Sequence, residues 1–171
     1  MNLWLRLLFL LLRLRRAPPC DLLDEVAIPL RVLPTDLDAL AHMNNGRYLT
    51  IMDLGRLALM YRSGLAGVAR SHGWVPLVRG IEIEYLRPLR PGQGFQLHTR
   101  LVAWDRKWLY LEQRFTVADT LHARAHVRGL LRGDEGNIPT ATVLAALGHG
   151  GRESPKPPPA DVAGTTIETG G

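Results

Sequence analysis

The chain of 171 residues contains one cysteine, Cys20. A single thiol excludes an intramolecular disulfide and a multi-cysteine zinc site. The fold must therefore stand on a packed core, in a reducing, cytoplasmic setting. Long apolar runs are also missing. The longest uninterrupted one near the N-terminus is Leu7–Leu12, whereas a membrane-spanning helix needs about 20 such residues. Two common catalytic signatures are absent as well, the GxSxG nucleophile elbow and the GxxxxGK[ST] phosphate loop. A basic stripe on the folded body is lacking too. The net charge is +5, but residues 1–16 hold four arginines and no acid, and the segment from His149 contributes −1, which leaves +2 for the middle. Nucleic acid is therefore not an expected partner. What the chain does have is an apolar content of 46%, enough for a globular core and too much for wholesale disorder.

The opening MNLWLRLLFLLLRLRR predicts an amphipathic helix over 1–16. At helical spacing Asn2, Arg6, Phe9, Arg13 and Arg16 share one side and most leucines the other. The arginine interruptions and the poor cleavage site at Ala17-Pro18-Pro19 argue against a removed leader. Two readings stay open: peripheral contact with a membrane interface, or docking on the protein's own body or a partner. A Pro-rich joint follows at 17–21. The stretch 149–171 is Gly/Pro-rich with almost nothing large and apolar, so it is expected to be disordered.

The body is then 22–148. Residues 25–33 read as a first strand and 45–63 as a long helix, with Tyr48, Met52, Gly55 and Leu59 on one face. A glycine inside a helix costs about 1 kcal/mol relative to alanine, so Gly55 implies close approach of another element. Gly64 reads as the helix stop. After Gly73 the period changes to two. Four strands follow in succession, around Ile81–Tyr85, Phe95–Leu101, Leu109–Val117 and Leu121–Val127, each with one apolar face. A short helix is expected at 140–147. A single sheet must cover its apolar face. The economical solution is an α+β fold in which an antiparallel sheet wraps one long central helix.

Between the first strand and the helix lies PTDLDALAHMNNG, residues 34–46. It sets Asp36, Asp38 and His42 ahead of a helix N-terminus, where free N–H groups and the helix dipole polarise a carbonyl oxygen. A carboxylate there can act as general base or nucleophile. Turn formation and capping by Asn44 or Asn45 account for the asparagines alone.

The pattern D-L-D-x-x-x-H-M-N-N-G-R-Y-L, followed by helix and meander, resembles the hotdog-fold acyl-CoA thioesterases. It is similar to the 4-hydroxybenzoyl-CoA thioesterase group and to plant acyl-carrier-protein thioesterases. The leading Leu/Arg helix, HMNNGRYL, MDLGR and WLYLEQRF look closest to the thioesterase-superfamily-member-six-like proteins. The resemblance spans about residues 1–148. It implies hydrolysis of an acyl-CoA or acyl-carrier-protein thioester without metal or other cofactor. It also implies a homodimer, or a dimer of dimers, with sites at the subunit interface. Carried over by position, it implies catalytic roles for Asp38, His42 and Asn45, and substrate contacts for Asn44, Gly46 and Tyr48. The hydratase stretch G-D-x-N-P-L-H of other hotdog proteins is missing. One departure stands out: plant enzymes carry an asparagine two residues after the aspartate, where this chain has Leu40. A non-catalytic, membrane-associated hotdog protein that binds lipid or a partner is therefore the alternative.

Asp36 is expected to be a turn acid or a second base, and Asp53 and Arg56 an intrahelical pair. His122 and His126 lie four residues apart on a strand, about 13 Å, too far for one zinc.

Overall fold

The computed structural model describes residues 2–156. Its elements are α1 (Asn2–Leu14), β1 (Val26–Arg31), a 3₁₀ turn (Pro34–Asp36), α2 (Asn45–Arg62), α3 (Leu65–Ser71), β2 (Val75–Tyr85), β3 (Gly94–Trp104), β4 (Leu109–Val117), β5 (Thr120–Gly133), β6 (Gly136–Asn137) and α4 (Thr140–Ala146). The strands form one antiparallel sheet in the order β1-β3-β4-β5-β2, with β6 beside β5. This is the expected α+β hotdog arrangement, with the sheet curled over α2. The helix α3 was not foreseen. Gly64 does stop α2, but its left-handed backbone (φ 80°) also turns the chain straight into α3.

Tyr48, Met52, Gly55 and Leu59 are all buried, as their spacing predicted. A Cβ on Gly55 would meet Thr99 Oγ1, Gln113 Nε2 at 2.8 Å and Leu97 Cδ2 at 2.9 Å. Glycine is thus what lets α2 lie flat on β3 and β4. Gln113 stands at an inward position of β4 that hydropathy leaves blank. Its amide donates to the Met52 carbonyl (3.0 Å) and to Thr99 Oγ1 (2.9 Å), and its oxygen accepts from Arg56 (2.7 Å). The buried polar group is satisfied, so it pins the helix to the sheet at little cost. One apolar cluster surrounds α2 between β1, β3, β4 and β5, and a second joins α3, α4, Leu101, Trp104 and Leu131.

The leading helix corrects the expected division of faces. Leu10 and Leu14 are buried, with Leu3 and Leu7 half-buried beside them. Arg6 does not join a solvent face; it turns inward to Asp36 and the Arg31 carbonyl. Most remaining apolar residues point away from the body, Trp4 at 74% and Phe9 at 65% exposure, with Leu5, Leu8, Leu11 and Leu12 also exposed. Periodicity defines a stripe but not which stripe docks, and the polar partner for Arg6 lies 30 residues away in sequence. No helix among the described residues is long and apolar enough to cross a membrane.

The stretch from His149 begins with a segment that packs back on the body. Arg152 makes two 2.9 Å hydrogen bonds to the Asp21 carboxylate, and Ser154 Oγ accepts from the Trp104 backbone N–H at 2.9 Å. The rest of the expected tail, 157–171, lies outside the described residues.

Candidate active site

The loop ahead of α2 is held by its own side chains. Asp38 Oδ1 accepts from the backbone N–H groups of Leu40 (2.9 Å) and His42 (3.2 Å), while the Asp38 N–H donates to the His42 carbonyl (2.9 Å). This Asx turn needs Ala41 at φ 55°, a left-handed conformation that costs a non-glycine residue about 1–2 kcal/mol. The remaining carboxylate oxygen of Asp38 has no hydrogen-bond partner among the described residues, and the residue is exposed. A backbone bridge between Leu37 and Met43 closes the loop base.

Asn44 is the N-cap of α2, its side-chain oxygen accepting from the Gly46 N–H at 2.8 Å. The Gly46 amide is therefore occupied, which narrows the expected carbonyl-polarising donors. The Asn45 N–H at the helix start is without a partner among the described residues. The phenol of Tyr85, the last residue of β2, donates to the Asn45 carbonyl (3.1 Å) and fixes the first turn against the sheet.

Asp38, His42, Asn45 and Tyr48 share one cleft of about 240 Å³, together with Met43, Tyr85, Leu86, Arg87 and Pro88. The three residues with expected catalytic roles thus come together. Tyr48 reaches the cleft from the core, packed edge-on against Tyr85 (5.1 Å between centroids) and Phe115 (4.9 Å). Burial pushes its phenol above the ordinary value, partly offset by a hydrogen bond from the Leu89 backbone. Asn44 and Gly46 are used in the cap and are not among the residues lining the cleft. Tyr85 was missed as a cleft residue. The strand alternation placed Tyr85 on an apolar face without showing that its end meets α2.

The other acids lie elsewhere. Asp36 is fully buried and paired with Arg6 and Arg47, so it cannot serve as a second base facing substrate. Asp53 pairs with Arg56 as expected, and both line a separate, mostly apolar cavity of about 230 Å³ between α2 and the sheet. His122 and His126 lie on β5; His122 Nδ1 is 3.2 Å from the Pro88 carbonyl.

Comparison with known proteins agrees with the fold. The sequence model of the family described as "Thioesterase-like superfamily" matches residues 32–164. "Protein THEM6" of Xenopus laevis is 44% identical over 115 residues, covering 64% of this chain and 56% of that protein. "Probable thioesterase YBR096W" of Saccharomyces cerevisiae is 28% identical over 86 residues, covering 49% and 37%. The chain spans about half the length of the curated relatives it matches, or less. Among solved structures, SAV2348 from Staphylococcus aureus, in complex with CoA, superposes with a TM-score of 0.66 at 16% identity, covering 85% of this chain and 96% of that one. BH1999, a gentisyl-coenzyme A thioesterase, gives 0.61 at 18% identity, covering 72% and 99%.

Proposed function

The chain belongs to the thioesterase-like superfamily, and on that premise we propose that it hydrolyses acyl thioesters, with acyl-CoA as the substrate class. The single observation that carries this reading is the cleft itself. It gathers an exposed aspartate with a free carboxylate oxygen, a histidine, an asparagine and a helix N-terminus. In this mechanism the thioester carbonyl lies toward the start of α2. The Asn45 N–H and the positive end of the helix stabilise the oxyanion as it develops. Asp38 takes a proton from water, and the resulting hydroxide adds to the carbonyl carbon. Alternatively the carboxylate itself adds, giving a mixed anhydride that water opens. Either way the C–S bond breaks, and CoA leaves as a thiolate that collects a proton. The two N–H groups on Asp38 Oδ1 orient the carboxylate, so the other oxygen is presented to the reaction. His42 and the Asn45 side chain position substrate or water. No metal or redox group enters this scheme. Relatives described as binding CoA or cleaving a CoA ester support CoA over a carrier protein.

Two further elements belong to this reading. A second copy pairs along the edge of β2, which brings the Tyr85 end of the cleft to a subunit boundary; dimers of such dimers remain compatible. The outward apolar side of α1, with Arg13, Arg15 and Arg16 beside it, rests peripherally on an anionic membrane surface. That same side, together with Leu40 in place of an asparagine, favours the second reading, a membrane-associated protein that binds lipid or a partner without turnover.

Thiol release from short, medium, long and aromatic acyl-CoAs, with Asp38→Asn beside the wild type, separates them. The thioesterase reading expects turnover in the wild type and a loss of about 10²-fold or more in the variant. Wild-type rates in Asp38→Asn would remove Asp38 from the chemistry. No release from acyl-CoA or from an acyl-carrier-protein thioester would favour the binding protein.

A further inference from the structure

Asp36 takes no part in the scheme above, yet it is fully buried and met by arginines from two helices. Arg6 of α1 donates to its Oδ2, and Arg47, in the first turn of α2, donates from Nε to Oδ1 at 3.2 Å, with Nη2 3.1 Å from the same oxygen. The Leu33 N–H donates to Oδ2 at 2.9 Å. The backbone carbonyl of Asp36 accepts from Asn44, the cap of α2, at 2.8 Å. Arg6 also donates to the Arg31 carbonyl at the end of β1, at 2.8 Å. One guanidinium from the leading helix therefore reaches both the strand end that enters the loop and the carboxylate that ties the loop to α2. Asp38 lies two residues beyond that carboxylate.

We propose that Arg6 is a positioning residue of the active site. Acting through Asp36, it holds the Asp38 loop and the start of α2 in register, so that the seating of α1 sets the competence of the cleft. This rests on the thioesterase reading of the cleft for its kinetic part, and on the contacts alone for its structural part. The physical argument is one of unequal partners. The Arg6 side chain is 9% exposed and that of Arg47 is 30% exposed. Without Arg6, Arg47 can turn toward water, and a buried carboxylate with half its charge compensation draws the loop outward. A shift of about 1 Å at a reacting group is enough to lower turnover by up to about 10²-fold. Outward movement of α1, whose exposed apolar side offers a place to be pulled, would have the same effect as losing Arg6.

The test uses the full chain with Arg6→Gln, Arg6→Lys and, as a control for general loosening, Val143→Ala in the other apolar cluster. Two quantities are read: kcat and KM on the preferred acyl-CoA, and amide hydrogen exchange over 34–47. Arg6→Gln is expected to lower kcat about tenfold with KM within about twofold. It should also speed exchange over 34–47 about tenfold. Arg6→Lys should recover at least half of kcat. Val143→Ala should change neither quantity beyond about twofold, even at a comparable loss of Tm. Unchanged exchange over 34–47 in Arg6→Gln overturns the proposal, as does an equal fall of kcat in Val143→Ala. If the wild type cleaves no thioester, the exchange arm still decides whether Arg6 holds the loop, so failure of the catalytic reading and failure of this one are told apart.

Discussion

At one edge of the sheet, β1 is six residues long and lies beside α1, with Arg6 bonded to its last carbonyl and a cleft between the two elements. At the other edge, β2 runs eleven residues with β5 on one side and no strand on the other among the described residues. Val75 and Val78 there are 55% and 43% exposed. Open edges invite pairing, and proteins blunt them by covering, charging or shortening the strand. The β1 edge has been shortened and flanked by a helix, and it carries Pro29. The β2 edge keeps its length and its apolar side chains, with Glu82 and Glu84 beside them. β1 is thus closed from within the chain, whereas β2 stays open among the described residues, and we propose that a second copy pairs with it.

The largest way to break this contrast is at the closed edge. Asp36→Asn leaves two guanidiniums beside a neutral group in the interior. It should cost about 3 kcal/mol, the low end for a broken buried pair because Arg47 can reach water. Urea unfolding followed by circular dichroism measures it, and a loss below 1 kcal/mol would show that α1 is not anchored there. At the open edge, Val78→Lys places a charge where a second β2 would approach. Light scattering across a dilution series should show dimer association weakened at least about tenfold, about 1.4 kcal/mol, with monomer stability nearly unchanged. A monomeric wild type, or a variant that dimerises equally well, would argue for another occupant of this edge.

The smallest effect is at the entry to β1. Glu25 accepts from Arg114 and pairs with His98 Nδ1 at 2.7 Å. Burial works against its ionisation, but these two partners outweigh that and hold the carboxyl below its ordinary value of 4.5. A carboxyl depressed on folding stabilises the protein above its unfolded pKa, and that contribution fades as pH falls through the folded one. Glu25→Gln should therefore flatten the acid side of the Tm profile below about pH 4.5 and lower Tm slightly above it. Because the pair is partly exposed, the expected cost at neutral pH is about 0.5 kcal/mol. An acid limb identical to the wild type would assign it to other carboxylates.

The same contrast marks what could be read from the sequence. Strand alternation and the Tyr48–Met52–Gly55–Leu59 spacing are local patterns, and the sheet, α2 and the close approach of another element at Gly55 followed from them; that the element is β3 with β4 came from the structure. Asp36 and Asp38 were different. They sit two apart in one turn with the same chemistry, and only long-range contacts made one a buried anchor and left the other exposed at the cleft. Arg6 likewise looked like a solvent residue because its partner is remote. The helix α3 was missed because seven residues after a glycine carry too little periodicity to register. For Asp38, His42 and Asn45 the resemblance supplied the roles. The structure gathers them in one cleft, and their roles in the chemistry remain for the Asp38→Asn experiment.

The ion pair between Asp21 and Arg152 joins residues 131 positions apart and spans nearly the whole domain. Closing so long a loop costs more chain entropy than any local contact, and an exposed ion pair returns little of it. In a folding reaction this clasp should form after the sheet has brought its ends together, and it should be the first contact to open on unfolding. Raised ionic strength screens it. The flanking segments should therefore separate in high salt while the body stays folded, giving the chain a reversible opening at its margins that does not depend on the core.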